Sequence, residues 1–257
     1  MHAHQSEFEL RLAESEDDLR HAQRLRYRVF VQELGGDGPL VDHAAGLEKD
    51  RFDPFYDHLL LIDPAEQRDG GVIGVYRLLR EDQAAQAGKF YSEDEYDLSA
   101  LKASGRKLLE LGRSCLAPKY RGSAAMMHLW RGLADYVAEH DIEVLFGVAS
   151  FHGTDIEALK EPLAFLHHRH LAPPELRVRA LQAHFQSMDL VAEADLDRLS
   201  AMVQTPSLIK AYLRLGGFVG EGAFIDTAFN TTDVCLVMDT ARMNPRQARR
   251  YTHGRKA

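Results

Sequence analysis

Residues 108–116 read LLELGRSCL. The run has the length of a strand and is apolar at both ends, which predicts a buried strand. Two charges interrupt it. Side chains alternate along a regular strand, so Glu110 and Arg113 would point to opposite faces. Gly112 lies between them, where a bulge is expected, and one extra residue would turn both side chains to the same side. A bulge there would also splay the strand from its neighbour and leave backbone groups unpaired, free to bind something extended. The other reading of Glu110 and Arg113 is an ion pair in the core.

The preceding strand repeats the anomaly. In VIGVYRLL, residues 72–79, Arg77 lies on the side of Ile73, Val75 and Leu79, and the opposite side is apolar too, so neither face offers water. A third case comes from the helix expected over residues 16–34, opened by Ser15 as its cap. At 100° per residue from Leu19, Ala22, Val29 and Phe30 fall at about 300°, 280° and 20°, and Arg26 falls at about 340°, inside that apolar stripe. An unpaired buried charge costs several kcal/mol, so Arg26 is either ion-paired or faces a ligand. Arg20, Arg24 and Arg28 lie on the solvent side.

Between these elements, residues 35–57 have turn chemistry and no sustained period, and long loops in compact domains are usually functional. Within them EKDRFDPFYD places Glu48, Asp50, Asp53 and Asp57 close together. The spacing lacks the glycine and terminal glutamate of a calcium loop. Pairing of these acids with three interior arginines is the economical explanation.

Further out, strands are expected at 8–12, 58–62, 143–149, 176–185 and 234–238. Helices are expected at 122–140, near 162–170, near 193–201 and at 206–215, with a polar loop at 80–106. Strands alternating with helices make the fold α/β or α+β. No linker divides the chain, so residues 1–241 are expected to form one domain, followed by a basic tail at 242–257. Its 257 residues are 45% apolar, enough for a substantial core. Acids outnumber Lys and Arg by 39 to 31, which argues against nucleic-acid binding. Six basic residues and no acid follow Asp239, leaving about −14 on the rest of the chain. Cys115 and Cys235 show neither metal nor disulfide spacing, and no stretch approaches 18 uninterrupted apolar residues. The expectation is a cytoplasmic protein, at most peripheral on a membrane surface, with no metal. Adjacent residues in a helix diverge, and His167, His168 and His170 lack an acid or cysteine to complete a ligand set.

The order LRYRVF, EKDRFD, VYRLL, LELGRS resembles the acyl-homoserine-lactone synthases and their relatives in the GNAT acyltransferase superfamily. The matching positions are Arg26 and Phe30, Asp50 and Asp53, Arg77, and Glu110 with Arg113. The tryptophan those synthases carry after Phe30 is missing, the only Trp being Trp130, which counts against lactone synthesis. The run at 208–239, LIKAYLRLGGFVGEGAFIDTAFNTTDVCLVMD, is similar to the ornithine N-acyltransferases of ornithine-lipid synthesis. That resemblance implies a GNAT-like mixed, mostly antiparallel central sheet with a bulged, splayed fourth strand, flanked by helices. It also implies transfer of a 3-hydroxyacyl chain from acyl carrier protein to the α-amine of ornithine. The rivals are a long-chain N-acyl amino acid synthase using another amino acid, and a non-catalytic protein that binds acyl carrier protein.

CoA enzymes of the superfamily carry [QR]-x-x-G-x-[GA] before a helix, where closely approaching amides bind a diphosphate. Here the run is Arg121-Gly122-Ser123-Ala124-Ala125-Met126, with Ala124 and Met126 at the small positions. That favours a carrier-protein donor, whose phosphopantetheine brings one phosphate and needs no separate cofactor. Ser114, Cys115, Lys119, Arg121, Gly122 and Ser123 are the expected donor-binding residues. Aminolysis of a thioester needs a base for the ammonium, and Glu110 is the candidate, directly or through a water. Backbone N–H groups near Arg113 to Cys115 are the expected oxyanion donors. Arg26, Arg77 or Arg113 is expected to hold the substrate carboxylate. Asp50 and Asp53 either fix those arginines or bind the side-chain amine, and His152 lines the site or serves a loop. Lys119, Arg121, the helix arginines and the tail are the local positive surfaces expected to meet the acidic carrier protein or an anionic membrane.

Overall fold

Ser15 opens the first helix as expected: its Oγ accepts the Asp18 N–H at 3.1 Å, and Glu16, Asp17 and Asp18 place negative charge on the first turn. In this computed structural model, which describes residues 8–122 and 124–244, that helix is one of a series. In chain order the elements are β1 (Glu9–Leu12), α1 (Glu16–Arg26), β2 (Asp57–Ile62), β3 (Val72–Arg80), α2 (Glu81–Ala87), β4 (Tyr96–Asp97), α3 (Ser99–Ala103) and β5 (Leu108–Leu116). There follow α4 (Ala125–Glu139), β6 (Val144–His152), α5 (Ile156–His170), β7 (Arg179–Ala180), β8 (Phe185–Gln186), α6 (Arg198–Gln204), α7 (Ser207–Leu215), β9 (Phe218–Val219), β10 (Ala223–Asp226) and β11 (Thr231–Asp239). The described residues form two compact units, 8–87 with 111–140 and 88–110 with 141–244, and β5 passes from the second to the first after Glu110.

In the first unit the strand order is β1-β2-β3-β5. β1 and β2 pair antiparallel, as do β2 and β3, with a register shift between Leu61 and Ile62. β3 is buried from Val72 to Leu79, which is why both of its faces are apolar. Helix α4 crosses β1 and β2 closely: a Cβ on Gly132 would come within 2.6 Å of a Leu10 methyl. Ala22, Leu25 and Val29 close the core against Leu60, Val75 and Cys115.

In the second unit β5 pairs with β6 in parallel, and the pairing ends at Glu110↔Phe146, while β6 continues to His152 against β11. Antiparallel partners follow: β6 with β11, β11 with β10 and β9, and β10 with β8. The sheet is mixed and mostly antiparallel, as expected. Tyr96, fully buried, donates its OH to the carbonyls of Asp233 at 2.8 Å and Gly222 at 3.1 Å.

Several expectations shift. The helix over 16–34 is α1 followed by a π-helix at Tyr27–Glu33, closed by Leu34 N to Val29 O at 3.2 Å. Such wide turns rotate later side chains relative to an α-helical wheel, and here they carry Phe30. The loop at 80–106 holds α2, β4 and α3. Helix α5 starts at Ile156, not near Pro162, because Asp155 caps it by accepting the Glu157 and Ala158 N–H groups, leaving Pro162 inside. The strand at 176–185 shrinks to β7 and β8. The helix near 193–201 starts at Arg198, capped by Asp197. The irregularity of β5 lies on Arg113 (φ 49°) rather than on Gly112.

Candidate active site

In the first unit three elements deliver three guanidinium groups to one place, and the loop before β2 delivers three carboxylates. Arg26 Nε donates to Glu48 Oε2 at 2.5 Å and its Nη1 to Asp53 Oδ1 at 2.6 Å. Arg77 Nη1 donates to the same Asp53 oxygen at 2.8 Å and to Asp50 Oδ2 at 2.8 Å. Arg113 Nε donates to Glu48 Oε1 at 3.2 Å, with its Nη2 3.6 Å from Asp50. Gln23 Nε2 completes Asp53 at 2.9 Å. Arg26 and Arg77 side chains are 0% exposed, Glu48 and Asp53 3%, but Arg113 is 16% and Asp50 19%. The pairing read from the sequence holds for Glu48, Asp50 and Asp53, whereas Asp57 pairs with Arg80 at 2.6 Å; and it has depth: four groups form the floor, and Arg113 with Asp50 form the rim.

Three positive against three negative charges leave this set neutral. Neutrality matters because a buried ion without a partner is penalised by several kcal/mol, whereas a matched set recovers that loss through short, charge-assisted bonds. Burial opposes the charge on Glu48, but Arg113 and Arg26 prevail and hold its carboxyl down to about 2. Asp53 is likewise held well below the usual carboxylate range, burial being outweighed by Arg26 and Arg77. His58 on β2 donates from Nε2 to the Asp53 carbonyl at 3.0 Å, and its buried Nδ1 has no hydrogen-bond partner among the described residues. Burial, followed by the nearby Arg26 charge, pushes the imidazole down to about 4, so it is neutral at pH 7.

The aromatic residues of the set cover its charges. The Tyr56 ring lies 4.3 Å from Arg77 Cζ, and Phe30 lies 5.9 Å from Arg113 Cζ. Gly112 abuts Arg77 and Tyr56, although a Cβ there would make ordinary contacts of 3.7–3.8 Å. Among the described residues Arg26 Nη2 is a buried donor with no hydrogen-bond partner, and so is Ser114 Oγ.

Glu110 lies in the second unit, 1% exposed. Its Oε1 accepts Ser92 Oγ–H at 2.5 Å and Ser92 N–H at 2.6 Å, and its Oε2 accepts Tyr91 N–H at 2.8 Å. The short turn Tyr91–Asp94 is thereby fastened to β5. His152 is the exposed last residue of β6, opposite Thr231.

The expected donor-binding residues sit in the first unit. Cys115 is buried, and burial pushes its thiol up to about 12, so it holds its proton and is no nucleophile at neutral pH. Gly122 takes φ 74°, and among the described residues none crowds a Cβ built there and none caps α4, which begins at Ala125. Arg121 forks onto Glu33 at 2.5 and 2.7 Å, and Lys119 meets Glu66 at 2.9 Å. The expected positive surface on α1 and the π-helix after it is also paired: Arg20 with Glu16 and Asp17, and both Arg24 and Arg28 with Asp69. Ser123 and tail residues 245–257 lie outside the described residues.

In the sequence Glu48 stands out only as one of the loop acids, and neither Gln23 nor Tyr56 is among the expected site residues. The signal for Gln23 was available: at Leu19 plus four it falls beside the apolar stripe that carries Arg26.

The mixed sheet with its parallel β5/β6 pairing, and the charged groups embedded in it, place the chain in a class. Residues 25–131 match the family model described as an acetyltransferase (GNAT) domain. The chain also aligns over 98% of its length with the acyl-homoserine-lactone synthase LasI (TM-score 0.52, 16% identity, 98% of that chain). A second solved structure, FeeM, an N-acyl amino acid synthase from uncultured soil microbes, matches with a TM-score of 0.50 at 13% identity, over 91% of this chain and 92% of that one. These likenesses define a GNAT-type acyltransferase fold. Within that class the chain belongs to the L-ornithine N(alpha)-acyltransferase family: it is 62% identical to the Rhodobacter capsulatus protein of that name over 248 residues, 95% of each chain. The Brucella abortus protein of the same name is 42% identical over 250 residues, 95% of this chain and 88% of that one.

Proposed function

We propose that the chain transfers a 3-hydroxyacyl group from acyl carrier protein to the α-amine of L-ornithine, giving a lyso-ornithine lipid. The observation that carries this reading is the 62% identity, end to end, with a protein named for ornithine Nα-acylation. The donor is argued from the Ala124 and Met126 departures in the diphosphate motif.

In the reaction the amine nitrogen bonds to the thioester carbon, the C–S bond breaks, the ammonium proton leaves to a base and the thiolate leaves to be protonated. Glu110 is assigned as the proton acceptor, with Ser92 Oγ–H, already donating to it, or a water as the relay. Backbone N–H groups at Arg113 to Cys115 are assigned to the oxyanion. Exposure divides the other roles. Arg113, the most accessible of the three arginines, takes the substrate carboxylate, and Asp50, the most accessible of the acids, takes a cationic group of the substrate. Arg26, Arg77 and Asp53 hold those two in position, and Phe30 packs beside Arg113. Ser114, Lys119, Arg121 and Gly122 serve the pantetheine arm, and His152 the substrate side.

The test is free-thiol release from 3-hydroxyacyl carrier protein in the presence of each amino acid, with the product identified by mass. Ornithine is expected to give the fastest release. Preference for another amino acid overturns the acceptor, absence of release with every amine overturns the enzyme reading, and equal rates with acyl-CoA overturn the donor.

A further inference from the structure

The histidine cluster at the end of α5 gains in the fold the acid it lacked in the chain. His167 and His168 lie in the last turn of the helix, and the segment after β8 brings Asp189 to them, so that one ligand atom from each of the three lies within 4.8 Å of the others. His168 Nε2 is 3.6 Å from Asp189 Oδ1 and 2.8 Å from the carbonyl oxygen of Val191. We propose that His167, His168 and Asp189 form a binding site for a divalent transition-metal ion of the zinc type, separate from the residues assigned to acyl transfer.

The donor set argues for that class of ion. Two imidazoles and one carboxylate are ligands of Zn²⁺ and its neighbours, whereas Mg²⁺ and Ca²⁺ call for oxygen alone. Donors bound to one tetrahedral ion at about 2.1 Å lie about 3.4 Å apart, so a pair at the 4.8 Å limit must close by about 1.4 Å. Asp189, whose side chain is 60% exposed, can change rotamer to follow the ion, and the two imidazoles can turn about their own side-chain torsions. Its backbone is held: Met188 beside it is 1% exposed, and Asp189 N–H donates to Ser187 Oγ at 3.2 Å. A second tie, Arg169 to Glu193 at 2.6 Å, holds the same segment to α5. In the metal-free form His168 Nε2–H donates to Val191 O. On binding, that bond breaks, the proton moves to Nδ1, and the ring turns away from the Val191 carbonyl so that the Nε2 lone pair meets the ion. Three protein ligands leave a coordination position for water. The consequence is a clamp that fixes the 187–193 segment to the helix end.

Co²⁺ is the probe: untagged, EDTA-treated full-length protein is titrated while visible d–d absorption is followed, with Zn²⁺ as competitor and the melting temperature as a second readout. One Co²⁺ per chain, displaced by Zn²⁺, is expected, together with a rise in melting temperature. Asp189→Asn, at an exposed side chain, and His168→Gln are each expected to weaken binding by about tenfold or more. His170→Gln, outside the cluster, is expected to leave it unchanged. Circular dichroism checks each variant's fold, and Asp189→Asn keeps the test valid if His168→Gln unfolds. Unsaturable binding by the native chain, or equal affinity in native, Asp189→Asn and His168→Gln proteins, overturns the proposal.

Discussion

Replacing Glu48 with glutamine removes one charge and almost no volume from the buried set. The carboxyl is held at about 2 against an ordinary 4.5, and a shift of that size corresponds to about 3 kcal/mol favouring the ionised form in the fold. Glutamine mimics the neutral form, so Glu48→Gln is expected to lower unfolding stability by about 3 kcal/mol at pH 7, within the range for removing one partner of a buried pair. Because the folded value is depressed, the contribution is complete above about pH 4.5, falls as acid approaches pH 2 and vanishes below it. At pH 3 the difference between native and variant is therefore expected to shrink to less than half, about 1 kcal/mol. Urea unfolding followed by far-ultraviolet circular dichroism at the two pH values measures it. Added salt should change the result little, since the pair is shielded from solvent. A difference below 1 kcal/mol at pH 7, or one that does not depend on pH, refutes the reasoning.

Four further outcomes follow from the same geometry. Glu110→Gln is expected to reduce turnover by about 100-fold or more with the circular dichroism spectrum kept, and near-native turnover removes Glu110 as the base. Arg113→Met and Asp50→Asn are expected to raise the KM for ornithine by about tenfold or more while kcat falls less, measured by thiol release; an unchanged KM takes the carboxylate and ammonium away from this rim. Cys115→Ala is expected to keep turnover within about twofold, and native Cys115 to resist alkylation at pH 8, as its raised thiol implies. The His58 imidazole is expected to titrate near 4 by NMR; since its folded value is depressed, its neutral form adds stability that is complete above about 6.5 and lost as pH falls towards 4.

The parts of this molecule legible in its sequence were those where local chemistry and burial agree. LLELGRSCL is β5 to the residue, and Ser15 caps α1, because an apolar run and an N-cap each act at short range. The misplaced arginines were legible for the opposite reason: a charge in an apolar pattern demands a partner, and the acid-rich loop was the nearest supply. Less legible was how the acids divide. Glu48, Asp50 and Asp53 are equivalent as letters, and only the loop's path makes Asp53 the shared ligand of two arginines and Asp50 the exposed one. The wide turn at Tyr27–Glu33 escaped because its residues suit an α-helix equally well, and the chain's tertiary setting selects the π form. Helix α5 was cut short because Pro162 reads as a start, whereas the Asp155 cap outweighs one missing hydrogen bond.

The neutrality of the arginine–carboxylate set also governs how this chain can change. A substitution that deletes one charge passes through a protein with an unmatched ion in its interior, whereas replacing a partnered acid and base together by apolar residues of similar size keeps the account balanced. Arg26, Glu48, Asp50, Asp53, Arg77 and Arg113 thus form a unit of inheritance. An effort to graft this site onto another scaffold, or to redesign its acceptor, has to move the six as a block, starting from the two at the rim.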